Sequence, residues 1–334
     1  MTSSLPRVAV IGTGGTISSW AQSSLDTMDY PEFGAKRPVD EILEHVKEAR
    51  QVADPLPVPF RSVGSTAIGP ADWVELRELV HATAARQPDL AGFVILHGTA
   101  TLEETAFFLN LTLAIPQTVV LVGAQRPASA LGSDAGINLV NALRVAGSPL
   151  ARGLGVLVVL NDEIHAARDV VKTSTYRQHT FRSLDFGALG HVDGDGIHIY
   201  RAPTPAHAPE GEFSALGDIV LPRVDILMSY AGADATFIDA AIAAGARGLV
   251  SAGLAPGLVT PAERVAYERA VASGIVVVQC TRAASGRVGR RRYLQEAGII
   301  AGEDFSPQKA RILLSLALAR TDDTAEIAAI FARC

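Results

Sequence analysis

A two-domain α/β protein is predicted: a larger N-terminal domain with a mainly parallel sheet flanked by helices, then a smaller C-terminal α/β domain. Three observations predict it. Short runs rich in valine and isoleucine read as buried strands, because they lack the alternation of a half-exposed sheet. Longer helical patterns lie between these runs, as parallel crossovers require. Glycine-rich turns follow two of the runs directly, at the carboxyl strand ends where an open α/β sheet places its chemistry.

In chain order, Arg7 to Ile11 is the first strand, and Pro70 to Ala85 carries the first helical pattern. Gly92 to Leu96 is a strand, and Leu102 to Leu113 a helix opened by a T-x-x-E capping box from Thr101 and Glu104. Thr118 to Val122 and Gly155 to Leu160 are strands on either side of a helix at Ala135 to Ala146. The pattern breaks near 191–222. Asp193-Gly194-Asp195-Gly196 is turn-like, and Arg201 to Gly217 is rich in Pro, Ala, His and Gly, so a hairpin and then an interdomain linker are expected. A second series has strands at Val224 to Ser229, Gly248 to Ser251 and Ile275 to Cys280. Its helices are Ala235–Ala244, Pro261–Ala272, Pro307–Ala319 and Thr324–Ala332. The expected domains are therefore 1–200 and 223–334, with 201–222 between them.

Composition excludes several function classes. The chain has 334 residues and a net charge of −6, from 29 basic and 35 acidic residues. A nucleic-acid partner calls for a basic excess, so none is expected. No apolar run approaches the ~20 residues of a spanning helix, so no membrane role is expected. The first seven residues run into a strand without a basic-then-apolar leader, which predicts a cytoplasmic protein. Cys280 ends an apolar run and should be a core residue, whereas the terminal Cys334 is expected to be mobile.

The two turns carry Thr16, after Gly12-Thr13-Gly14-Gly15, and Thr99, after His97-Gly98. Thr99 lies just ahead of a helix start, whose free amides can stabilise an oxyanion. The first turn has neither the G-x-G-x-x-G of a dinucleotide site nor the G-K-[ST] of a phosphate loop. No cofactor is expected. Eight scattered histidines offer no H-x-x-x-H pair, so no metal is expected either, and His97 is read as structural.

Together these motifs resemble the bacterial asparaginase/glutaminase family, and the match runs essentially end to end. Val10 to Ile17 resembles its T-G-G-T-I signature, and His97 to Thr105 its H-G-T-D-T-x-E-E-T. Val122 to Pro127 resembles V-G-A-M-R-P. Asn161-Asp162, Arg168 to Thr173 and Ser306 to Arg311 resemble N-D, R-D-V-x-K-T and N-P-Q-K-A-R. The resemblance implies that Thr16, beside Gly15, attacks a side-chain amide and forms an acyl-enzyme that water hydrolyses. It implies that a tyrosine assists, for which Tyr30 is the nearby residue, one position out of the usual spacing. It implies that Thr99, beside Gly98, works with Lys172 and that Ser65 binds the substrate's α-carboxylate. A lysine desolvated beside a hydroxyl can serve as base. The family pattern also implies a homotetramer of intimate dimers that share their active sites.

Departures cluster at one function. The resemblance places the substrate's α-ammonium against an aspartate, a glutamine and two residues of a neighbouring subunit. Here those positions hold Ala100, Thr66, Pro256 and one of Arg290, Arg291 and Arg292. An ammonium buried without carboxylates costs several kcal/mol, so L-asparagine should bind poorly. A natural shift to a substrate lacking the ammonium explains all four changes; an engineered Asp-to-Ala inactivation explains Ala100 alone. The cluster Arg287, Arg290, Arg291 and Arg292 is either a solvated or salt-bridged basic loop or the source of a bidentate contact to a substrate carboxylate. The leading expectation is an amidohydrolase for a small carboxamide. The alternative is an asparaginase-like binding protein without turnover. Nicotinamide chemistry, resting only on the glycine turn, is a remote third.

Overall fold

The computed structural model describes residues 5–334; Met1 to Ser4, the start of the segment expected to lack a leader, lie outside the described residues. The chain divides into two compact units, Met1–Ser214 and Ala215–Cys334.

The first unit is built on an eight-stranded sheet. Its strands are β1 (Arg7–Gly14), β2 (Asp54–Val63), β3 (Gly92–Leu96), β4 (Thr118–Val122), β5 (Val156–Leu160), β6 (Glu163–Ala166), β7 (Gly190–Asp193) and β8 (Gly196–Ile199), in the spatial order β8-β7-β6-β5-β4-β3-β1-β2. The five strands from β5 to β2 are mutually parallel, and β6, β7 and β8 extend the sheet antiparallel. Every residue of β3, β4 and β5 is buried, which is why their sequences run apolar without alternation. Along β1 the faces alternate. Val8 and Val10 join the core shared with α1 (Val39–His45) and α4 (Ala135–Gly147), whereas Ala9 and Ile11, equally buried, do not. Two further helices are α2 (Pro70–Arg86) and α3 (Leu102–Thr112), joined by Trp73 stacked on Phe108 at 5.7 Å.

β2 is a strand the sequence hid. Pro55, Pro57 and Pro59 recur at every second position, and proline cannot donate to a ladder. Position in the sheet resolves this: β2 pairs with β1 alone and is an edge, where donors on one side need no partner.

The expected helices and strands form, with ends displaced by a few residues at most. The capping box does not. Thr101 precedes α3 but its hydroxyl donates to Ser65 O at 2.9 Å instead, because tertiary contact offers it a better acceptor than its own helix. Within the segment expected as linker, Phe213 is buried and its N–H donates to Leu111 O at 2.9 Å.

The second unit has four parallel strands in sequence order: β9 (Val224–Met228), β10 (Gly248–Gly253), β11 (Val276–Thr281) and β12 (Ile300–Ala301). Its helices are α5 (Thr236–Ala243), α6 (Pro261–Ala272), α7 (Pro307–Arg320) and α8 (Thr324–Arg333). Here a capping box does form: Thr260 and Glu263 exchange side-chain and backbone hydrogen bonds at 3.2 and 3.0 Å at the start of α6. Cys280 lies in the core as expected, but Cys334 is also buried, 4 % exposed, because α8 carries the chain end inward. No helix among the described residues is long and apolar enough to cross a membrane.

Candidate active site

Two backbone turns are pressed together at the carboxyl ends of the adjacent strands β1 and β3. Gly14 and Gly15 have φ of 107° and 83°, values that favour glycine. A side chain on Gly15 would place its Cβ 2.2 Å from Gly98 Cα, and one on Gly98 would meet Ser65 Cβ and Oγ at 2.8 Å. The glycines therefore let the two turns touch backbone to backbone and let the Ser65 side chain pack directly on Gly98. Gly15 N–H donates to Val63 O at 2.8 Å, and Thr13 Oγ1 to Leu96 O at 2.8 Å, which ties the first turn to both neighbouring strands.

Thr16 starts the single 3-10 turn that follows. Its hydroxyl lies 2.9 Å from the Tyr30 hydroxyl. Tyr30 opens a one-turn helix (Tyr30–Phe33), and burial pushes its phenol above the ordinary range, opposed by the Thr16 bond and reinforced by Asp134, Asp26 and Tyr176. Such a phenol stays protonated at neutral pH.

Thr99 is buried, and Lys172 Nζ donates to its hydroxyl at 2.7 Å. Lys172 sits in a two-residue ladder with Phe181. Burial lowers its pKa, with Glu103 on the first turn of α3 pulling the other way. The Lys172 backbone N–H donates to the Glu103 carboxylate. On its far side Nζ reaches Gln125 Oε1 at 3.5 Å.

His97 is structural. It is fully buried, with Nδ1 2.9 Å from Gly98 O and Nε2 2.9 Å from the Thr105 hydroxyl. Burial lowers its pKa to about 4, so it is neutral. Ser65 is 7 % exposed, and its hydroxyl has no hydrogen-bond partner among the described residues. Thr66 and Ala100 are exposed and add no charge.

Gln125, Glu103 and Asp134 have no role in the expectations drawn from the sequence. Asp134 accepts from the backbone N–H of Gln125 and Arg126 at 2.9–3.1 Å, fixing that loop. Two of them left a trace in the sequence: Glu103 falls on a glutamate of the second motif, and Gln125 stands where the similar segment has methionine. The four arginines bind within the second unit: Arg287 and Arg290 to Glu303, Arg291 to Gly257 O at 3.3 Å, and Arg292 to Glu296 at 2.7 Å. One group of metal-capable side chains occurs among the described residues: Asp193, Asp195 and His198 on the β7–β8 hairpin, with ligand atoms within 4.8 Å of one another. The sequence showed only a turn there.

Residues 7–205 match the family model described as Asparaginase, N-terminal, and residues 223–331 match the Glutaminase/Asparaginase C-terminal domain. The chain is 39 % identical to L-asparaginase 2 of Bacillus subtilis over 98 % of its own length and 86 % of the relative's. It is 34 % identical to the glutaminase-asparaginase of Pseudomonas fluorescens, covering 98 % and 90 % of the two chains. The solved structure of a probable cytoplasmic L-asparaginase from Campylobacter jejuni superposes with a TM-score of 0.93, at 34 % identity and covering 98 % of this chain and all of the other. The turns that hold Thr16 and Thr99, the two-unit architecture and these matches place the chain in the asparaginase/glutaminase family.

Proposed function

We propose that this hydrolase, which acts on linear amide C–N bonds, cleaves a small carboxamide through an ester formed on Thr16. The observation that carries the reading is the Thr16–Tyr30 hydroxyl pair at 2.9 Å, beside a buried threonine hydroxyl held by a lysine. Thr16 Oγ1 attacks the amide carbon. A phenol kept protonated by burial is no standing base, but it can relay: Tyr30 takes the Thr16 proton while its own goes to the departing nitrogen. Ammonia leaves and the acyl group stays on Thr16. Water then attacks the ester, giving the acid and restoring the hydroxyl.

Thr99 and Lys172 supply the second proton path. Once Nζ has lost a proton, the 2.7 Å contact reverses and Thr99 donates to the amine. Burial of Lys172 favours that neutral form. Ser65, with its hydroxyl unengaged, receives the substrate's carboxylate, next to Gly15, Gly98, Thr66 and Ala100.

The substrate we propose carries that carboxylate but no α-ammonium, since Ala100 and Thr66 offer no counter-charge. No metal or cofactor takes part in this scheme. The protein is further proposed to work in the cytoplasm as a homotetramer, with the small amide as its partner.

Thr16→Ala tests the scheme. Turnover of every amide should vanish while ligand-induced thermal stabilisation persists; unchanged turnover would exclude the Thr16 ester. Ala100 favours a second reading, a binding protein that has lost turnover. Ammonia release and thermal shifts measured on one panel of amides separate the two, because stabilisation without any ammonia supports the binder.

A further inference from the structure

Beside the lysine–threonine pair lies a buried amide with half of its hydrogen-bonding capacity unused. Gln125 is 6 % exposed. Its backbone is pinned by Asp134, its Oε1 lies 3.5 Å from Lys172 Nζ, and its Nε2 is fully enclosed with no partner. Leaving a buried donor unsatisfied forfeits its hydration without replacing it. An apolar side chain of similar size would avoid that cost, so the amide needs a reason of its own.

We infer that Gln125 is a positioning residue that holds Lys172 on Thr99 with a neutral acceptor. This rests on the reading that Lys172 serves as a base. The geometry gives Nζ two fixed oxygens, Thr99 Oγ1 at 2.7 Å and Gln125 Oε1 at 3.5 Å. The amine needs one to exchange a proton with and another to orient its remaining N–H groups.

A carboxylate at position 125 would orient Nζ equally well but would also stabilise the ammonium, and an ammonium accepts no proton. The only charged group acting on Lys172 among the described residues is Glu103, with whose carboxylate the Lys172 backbone N–H is hydrogen-bonded. Ala100 leaves the second turn without a carboxylate as well. An amide in this setting orients the lysine and adds no charge.

The test compares wild type with Gln125→Glu and Gln125→Met by the rate of Lys172 acylation with acetic anhydride against pH, followed by peptide mass spectrometry. This readout follows the free amine and needs no turnover. The Glu variant should raise the midpoint by about 1–3 pH units, as an opposite charge within hydrogen-bonding reach does. The acid limb of kcat/KM should move by the same amount. The Met variant, which keeps the site neutral if a buried carboxylate prevents folding, should lower the acylation midpoint and reduce kcat about tenfold at unchanged KM.

A Glu midpoint equal to or below that of wild type overturns the inference, as does a Met variant with wild-type kcat and midpoint. If the midpoints order as Met, Gln, Glu while Lys172→Ala keeps full turnover, the positioning role stands and the base role of Lys172 falls.

Discussion

Removing the phenolic oxygen of Tyr30 leaves the Thr16 hydroxyl without its 2.9 Å partner. Tyr30→Phe should therefore lower kcat by about a hundredfold or more, the scale of proton-transfer catalysis, with a smaller change in KM. Stopped assays on any accepted amide check it. In the proposed scheme Lys172 works as the neutral amine, so its pH dependence has a defined sign. Activity falls as pH drops through the folded pKa, and burial sets that limb below the ordinary lysine range. Lys172→Arg should be inactive at every pH, since a guanidinium does not lose its proton.

His97 gives a stability prediction. Its folded pKa of about 4 lies below the ordinary 6.5, so below pH 6.5 the unfolded chain binds a proton that the folded chain refuses. Stability is then lost as pH falls from 6.5 to about 4, by roughly 3 kcal/mol from this group alone. Urea unfolding at pH 7 and pH 4 should show a smaller pH-dependent loss in His97→Asn than in wild type.

At the scale of elements, the turns matter more than the helices. Gly15→Ala combines a φ of 83° with a Cβ only 2.2 Å from Gly98 Cα, backbone against backbone. The neighbour cannot yield as a flexible side chain would, so the two turns must separate. Activity should be lost with a fall in melting temperature, measured together by calorimetry and ammonia release.

The same scale shows what was legible in the sequence. β3, β4 and β5 are buried on both faces, so hydrophobic runs alone revealed them. β2 was not legible because its alternate prolines are tolerated only at a sheet edge, and edge position is a property of topology. The Thr101 cap failed for a related reason: the competing acceptor, Ser65 O, lies 36 residues away in the chain. Motif residues around Thr16, Thr99 and Lys172 could be picked out by resemblance. The unpaired amide of Gln125 could not, because satisfaction of a hydrogen bond is a three-dimensional fact.

For the whole molecule, the proposed assembly is four 35.0 kDa chains. Light scattering should report four times the chain mass, and a stable monomer with full activity would contradict shared active sites. Specificity belongs to this scale too, since the departures from the family pattern fall in both units. Ala100→Asp with Thr66→Gln should tighten asparagine binding about tenfold, equivalent to about 1.4 kcal/mol, as read by titration calorimetry on the Thr16→Ala protein.

The hydrogen bond from Thr13 to Leu96 joins residues 83 apart in sequence, across the seam between β1 and β3. Closing so long a loop is slow relative to forming local helices. A growing polypeptide accordingly carries Thr16 without its neighbouring turn until the segment near residue 100 has emerged and annealed beside it. Regain of turnover after dilution from denaturant should therefore lag helix formation, because hydrolysis waits on that ladder and on the subunit assembly proposed above.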